Sequence, residues 1–273
     1  MTPRESMMTL VGARRALIGM IHVGALPGTP GSARGIDELV ENAIAEAMIY
    51  RAAGFNALMI ENMHDVPYLK NTVGPEITAA MAVIARELCV ELELPLGIQV
   101  LAGANREALA AALASNARFI RAECFVFGHV ADEGWIEASA GPLLRYRREI
   151  HADGIRVFAD IKKKHSAHAV TADVSLVETA KAAEFFRADG VIVTGNSTGH
   201  AADANEVGAV AGAVQVPVLV GSGVTPENMA GYAAADGFIV GSSVKIGGLW
   251  SNPLDPLRVE AVARAFAKLP DKA

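Results

Sequence analysis

Asp160 and Lys162 stand two residues apart at the end of the apolar run Ile155 to Ile161, a spacing that puts both side chains on one face of a β-strand. An aspartate beside a lysine there is an acid–base pair, each charge keeping the other ionised until a substrate displaces one. The same lysine could instead form a Schiff base with a carbonyl. Lys164 and His165 follow in the adjoining loop as further donors. The same parity in other apolar runs adds His22 after Ile18 and Met20, Glu61 after Ala57 and Met59, and Gln99 after Gly97. It also adds Arg121 and Glu123 after Phe119, and Thr194 after Ile192. Each is polar and each closes its run. Any one of them alone is equally well an internal ion pair. Burying so many charges without use is costly, so their convergence is expected to mark a pocket for acid–base chemistry.

A second kind of site is written in small residues. Gly221-Ser222-Gly223 closes the run Val216 to Val220, and Gly241-Ser242-Ser243 closes Gly237 to Val240. Two consecutive strands ending in such turns are expected to present backbone N–H groups side by side, which suits a phosphate. A tight strand-to-helix turn would also need glycine, but two in tandem favour the anion site. Thr194-Gly195-Asn196, at the end of the preceding strand, offers a hydroxyl, an amide and a pliable backbone as further ligand contacts.

These residues need a frame that brings many strand ends together. Apolar runs alternate with helical patterns along the whole chain, for example Asp37 to Ala53, Pro75 to Leu92 and Pro256 to Ala267. Helices are also expected over Asp173 to Arg187 and Pro226 to Ala235. The count is near eight strand–helix units, the number that closes a parallel barrel, and 273 residues suit one such domain. A doubly wound open sheet is the alternative. Residues 1–15 read as a loosely structured lead-in and 16–270 as a single barrel domain. At 52% apolar but only 5% aromatic residues, the composition fits strands covered by helices on both faces.

The chain lacks GxGxxG and GxxxxGK[ST], which argues against dinucleotide and P-loop chemistry. A net charge of -6 with no basic block argues against nucleic acid. No apolar run is long enough to span a bilayer, and Cys89 and Cys124 have no CxxC spacing, so a cytoplasmic protein with reduced thiols is expected. No cofactor is required by the sequence. A divalent metal could use His165 with His168, or His22 with Glu61 and Asp160, but no HxH or HExxH spacing supports it. The apolar segment Ile246 to Trp250 is the candidate contact for a homo-oligomer.

Several segments together resemble the BtpA/SgcQ family. They are Gly19 to Gly28, Glu61-Asn62 with Asp65-Val66-Pro67, Asp160 to His165, Thr194 to Gly199, Gly221 to Asn228 and Ala235 to Lys245. The resemblance runs from about Leu17 to Phe266 and implies a (β/α)8 TIM barrel of the phosphate-binding type. It implies no particular reaction; some members are associated with photosystem I biogenesis. Two strand ends depart from the family pattern. Leu101-Ala102-Gly103-Ala104-Asn105 replaces Leu-Arg-Asn, and Ile120-Arg121-Ala122-Glu123 replaces Ile-Arg-Val-Asn. The function expected is an enzyme on a small phosphorylated metabolite, a sugar phosphate or nucleotide-like compound, with acid–base, lyase or isomerase chemistry. The alternative is a non-catalytic assembly factor acting on a membrane complex or its cofactor supply.

Overall fold

The computed structural model describes residues 2–163, 165–195 and 201–270. In chain order the elements begin with α1 (Pro3–Val11), β1 (Ala16–His22), α2 (Ile36–Ala52), β2 (Ala57–Glu61), α3 (Pro75–Glu91), β3 (Leu96–Gln99) and α4 (Asn105–Ser115). Next come β4 (Phe119–Ala122), β5 (His129–Ala131), β6 (Gly134–Ile136), α5 (Ala140–Glu149), β7 (Arg156–Ile161) and β8 (Ser166–Ala167). The chain closes with α6 (Leu176–Phe185), β9 (Gly190–Val193), α7 (Ala204–Ala211), β10 (Val218–Val220), β11 (Gly237–Val240) and α8 (Pro256–Ala267). Parallel pairing in the order β1-β11-β10-β9-β7-β4-β3-β2 closes a barrel, so the fold is a (β/α)8 TIM barrel and not an open sheet.

Strand alternation sorts the core into two parts. Leu17, Ile21, Leu58, Ile60, Ile98 and Val157 face outward and pack under the helices. Ile18, Met20, Ala57, Met59, Phe158 and Ile192 face the axis and form a separate interior cluster. Phe119 and Phe158 meet edge to face inside the barrel, ring centroids 5.6 Å apart. Gly97 leaves room for the Phe119 ring, which a Cβ there would strike.

The floor of the barrel corrects one expectation. Residues 3–11 are not loose but form α1, which carries Met7 and Leu10 into the interior cluster. The cause is local: Thr2 and Glu5 make a reciprocal capping box, Pro3 occupies the first turn, and Gly12 ends the helix at φ 70°. Burying each of the two side chains contributes roughly 2 kcal/mol. Two other expected helices are shorter than predicted. The sixth helix spans Leu176–Phe185, and Pro226 to Ala235 holds only a 3-10 turn at Met229–Tyr232. There the Asn228 side chain accepts from the Thr225 amide at 2.8 Å and donates to the Gly223 carbonyl at 2.7 Å, folding the segment into a tight loop.

Above the other end, β6, β5 and β8 form a small antiparallel sheet. It joins the loop after β4 to the loop after β7, through Val130 opposite both Trp135 and Ala167. Among the described residues no helix is long and apolar enough to cross a membrane.

Candidate active site

A cavity of about 570 Å³ opens at the C-terminal end of the barrel. One wall is made of Gly221, Ser222 and Gly223 after β10, and of Gly241, Ser242 and Ser243 after β11. The other carries His22, Glu61 and Arg121. The glycines are needed for space as well as for turning. A Cβ on Gly221 would strike the Ile192 side chain and lie 3.5 Å from Arg121 Nη2. One on Gly241 would lie 3.3 Å from His22 Nε2. Gly223 sits at φ 64°, which side chains rarely adopt.

Arg121 and Asp160 are locked together. Arg121 Nε lies 3.1 Å from both Asp160 oxygens and Nη2 lies 3.1 Å from Oδ2, with both side chains almost fully buried. Burial works against the guanidinium charge, but Asp160, Glu61 and Glu123 outweigh it and hold Arg121 above the ordinary arginine range. Asp160 therefore aims a permanent cation at the first glycine turn.

His22 and Glu61 form the titratable part of the wall. His22 Nδ1 is 3.1 Å from the Trp250 carbonyl oxygen, which can only accept, so Nδ1 carries a proton. Nε2 then faces Glu61 Oε2 at 3.6 Å, and a proton between them gives an acid–base couple inside the cavity. Glu61 stands on a stiff base. The Val23 amide donates to its carbonyl at 2.9 Å. Next along the chain, Asn62 Oδ1 accepts from the Leu101 amide at 2.8 Å and Asn62 Nδ2 donates to Asp65 at 2.9 Å. Asp65 accepts from the Leu26 amide at 2.8 Å.

Behind Arg121 lies a second buried network. Gln99 Nε2 donates to Glu123 Oε1 at 3.3 Å, and Lys163 Nζ lies 3.3 Å from Glu123 Oε2 and 3.7 Å from Glu133 Oε2. Burial raises the Glu123 carboxyl above its ordinary range; Lys163 pulls it down and Asp160 pushes it further up. Lys163 stays above the ordinary lysine value because Glu123 and Glu133 outweigh its burial. Gln99 Oε1 and Thr194 Oγ1 are buried with no hydrogen-bond partner among the described residues.

His22, Glu61 and Arg121 thus share the cavity with the two glycine turns, while Asp160, Glu123 and Gln99 stand behind them. Gly195 is buried beside Thr194 at the end of β9. Lys162 lies one residue past β7, where φ 52° turns the chain, and it lines a small cleft with Asp160 and Lys163 but not the barrel cavity. That reversal brings Lys163 inward, and the cation on Asp160 is Arg121. His165 is exposed and lines neither the barrel cavity nor the cleft beside Asp160. Lys164 and Asn196 lie outside the described residues. Sequence parity misses Lys163, Glu133 and Arg258. Arg258, in the first turn of α8, lines the cavity beside Ser243, whose carbonyl accepts from its Nη1 at 3.3 Å. Among the described residues no three His, Cys, Asp or Glu side chains are grouped to hold a metal ion.

Known proteins of the same fold include the (S)-3-O-geranylgeranylglyceryl phosphate synthase of Thermoplasma acidophilum, solved in complex with sn-glycerol-1-phosphate. Its TM-score is 0.61 at 17% identity, covering 97% of this chain and 98% of that one. The phosphoribosyl anthranilate isomerase of Thermus thermophilus matches with a TM-score of 0.55 at 14% identity, covering 93% and 100%. By sequence, a Caenorhabditis elegans protein whose name describes it as mitochondrial is 49% identical over 95% of this chain and 96% of its own. The photosystem I biogenesis protein BtpA of Synechocystis is 34% identical over 92% and 88%. The sequence model of the BtpA family matches residues 13–268. The chain belongs to the BtpA family.

Proposed function

We propose that the protein is an enzyme acting on a small phosphorylated metabolite, a sugar phosphate or nucleotide-like compound. One observation carries this reading. A single cavity holds the two glycine turns, the buried cation Arg121 and the His22–Glu61 couple. The turns after β10 and β11 would take the phosphate, with Arg258 at the rim. Arg121 would steady negative charge on an oxygen, held in place by Asp160. His22 and Glu61 would move a proton next to a carbonyl or hydroxyl, as lyase or isomerase chemistry needs. The barrels above are named for phosphorylated compounds, and that supports the same ligand class. Cys89 and Cys124 are free thiols, consistent with work in the cytoplasm. If two copies pair, the half-exposed Ile246 and Leu249 offer the apolar contact.

The test is a titration with inorganic phosphate and with ribose 5-phosphate, followed by backbone amide NMR. The Gly223 and Ser243 amides should move saturably, and Gly223→Asp should abolish the shift. Saturable shifts elsewhere, with both turns unmoved, overturn the assignment.

The name of the Synechocystis relative carries the second reading, an assembly factor with no catalysis. His22→Gln combined with Glu61→Gln separates the two. Cellular function that survives the pair rules out the enzyme; function lost from a folded protein that still binds its partners rules out the assembly factor.

A further inference from the structure

A second and larger cavity, about 660 Å³, lies on the outer side of β1. Its walls are α2, the loop after β1 and the loop that follows Lys245. His22 lines both cavities. The volume suits a small organic molecule.

The lining has two characters. Val23, Leu39, Ile49 and Leu254 give it an apolar side. Lys245 and Glu46 give it a buried ion pair, with Nζ 2.6 Å from Oε1 and 2.9 Å from Oε2. The Lys245 side chain is only 2% exposed. Arg34 adds a second cation at the rim, where Glu38 lies 3.0 Å from it. The cavity lining itself thus holds Lys245 and Arg34 against one carboxylate, Glu46. His64 also faces this space and packs on Trp250 at 4.8 Å; burial, with Lys245 and Arg34 nearby, lowers its pKa.

A buried ion pair contributes little net stability, because desolvating both charges offsets their attraction. An apolar pair would tie α2 to this loop as well. Burial also biases Glu46 toward the neutral acid, against the pull of Lys245. A ligand carboxylate that took the place of the Glu46 carboxylate would leave Lys245 paired and Glu46 able to accept a proton.

We infer that this cavity is a second ligand site, distinct from the barrel mouth, for a small organic anion: a carboxylate on an apolar body, with the carboxylate on Lys245 and the body against Leu39 and Ile49. It does not depend on the reading of the barrel mouth.

Benzoate is the probe. Trp135→Phe leaves Trp250 as the only tryptophan of the chain, and Trp250 packs against His64 of the cavity wall. Benzoate should change its fluorescence saturably, and benzyl alcohol, which lacks the charge, should not. Removing both partners with Lys245→Met and Glu46→Leu keeps the contact packed and should weaken benzoate roughly tenfold or more, the loss of one charge-assisted contact. Ala45→Phe, from an exposed position on the cavity wall, should block binding without touching a charge. Inorganic phosphate binding at Gly223 should be unchanged in all these variants, so a failure here is distinct from a failure of the barrel-mouth site. No saturable response, an equal response to benzyl alcohol, or unchanged benzoate affinity in folded Ala45→Phe overturns the proposal.

Discussion

The two walls of the barrel mouth hold their groups by opposite means. On the side of β1, β2 and β4 the wall is made of side chains, and each charged group is fixed by another: Arg121 by Asp160 behind it, and His22 by Glu61 and the Trp250 carbonyl. On the side of β10 and β11 the wall is backbone, and what shapes it is the absence of side chains at Gly221 and Gly241. A wall of charges can be tuned by protons and neutral substitutions. A wall of glycines is indifferent to pH and fails only when bulk or strain is added.

The sharpest way to break the charged wall is Asp160→Leu. It leaves Arg121 buried without its partner and should cost about 3–5 kcal/mol in denaturant unfolding. Adding Arg121→Met should recover most of that loss, since the pair is costly mainly when halved. A single variant as stable as the parent would mean that Arg121 finds another partner at no cost.

Acid gives the next largest contrast. Burial, His168 and Lys163 lower the pKa of His129 to about 4. Between that value and the ordinary histidine range the unfolded chain binds a proton that the folded chain refuses. The His129 contribution is therefore full above roughly pH 6.5 and is lost as pH falls toward 4, by at most about 3 kcal/mol. Glu123 acts with the opposite sign, because its raised pKa makes the folded state hold its proton more tightly. Urea midpoints at pH 7 and pH 4.5 should accordingly fall less in His129→Asn than in the parent. Equal falls would remove His129 from the acid response.

The smallest effect belongs to the glycine wall. Gly223→Ala forces a side chain at φ 64° and should cost about 1 kcal/mol, the same at pH 7 and pH 4.5. A pH-dependent cost would blur the distinction between the walls.

How much of this was legible in the residues depended on whether the chain stayed extended. Parity finds Glu61, Arg121 and Asp160 because side chains alternate strictly along β2, β4 and β7. It fails one residue past β7, where the left-handed turn at Lys162 exchanges the inner lysine for its neighbour. The floor helix had a readable signal in Thr2-Pro3-Arg4-Glu5, a capping-box pattern ahead of Met7 and Leu10. The pairing of β8 with the local β5–β6 hairpin had none, because it joins distant loops. Arg258 is hidden inside an ordinary amphipathic helix pattern.

The links running from Val23 and Leu26 through Glu61, Asn62 and Asp65 to Leu101 have a consequence for motion. They gather the loops after β1, β2 and β3 into one cooperative opening unit. Amide protons at Leu26 and Leu101, remote in sequence, then exchange through the same event. A molecule that orders any one of these loops slows exchange in all of them.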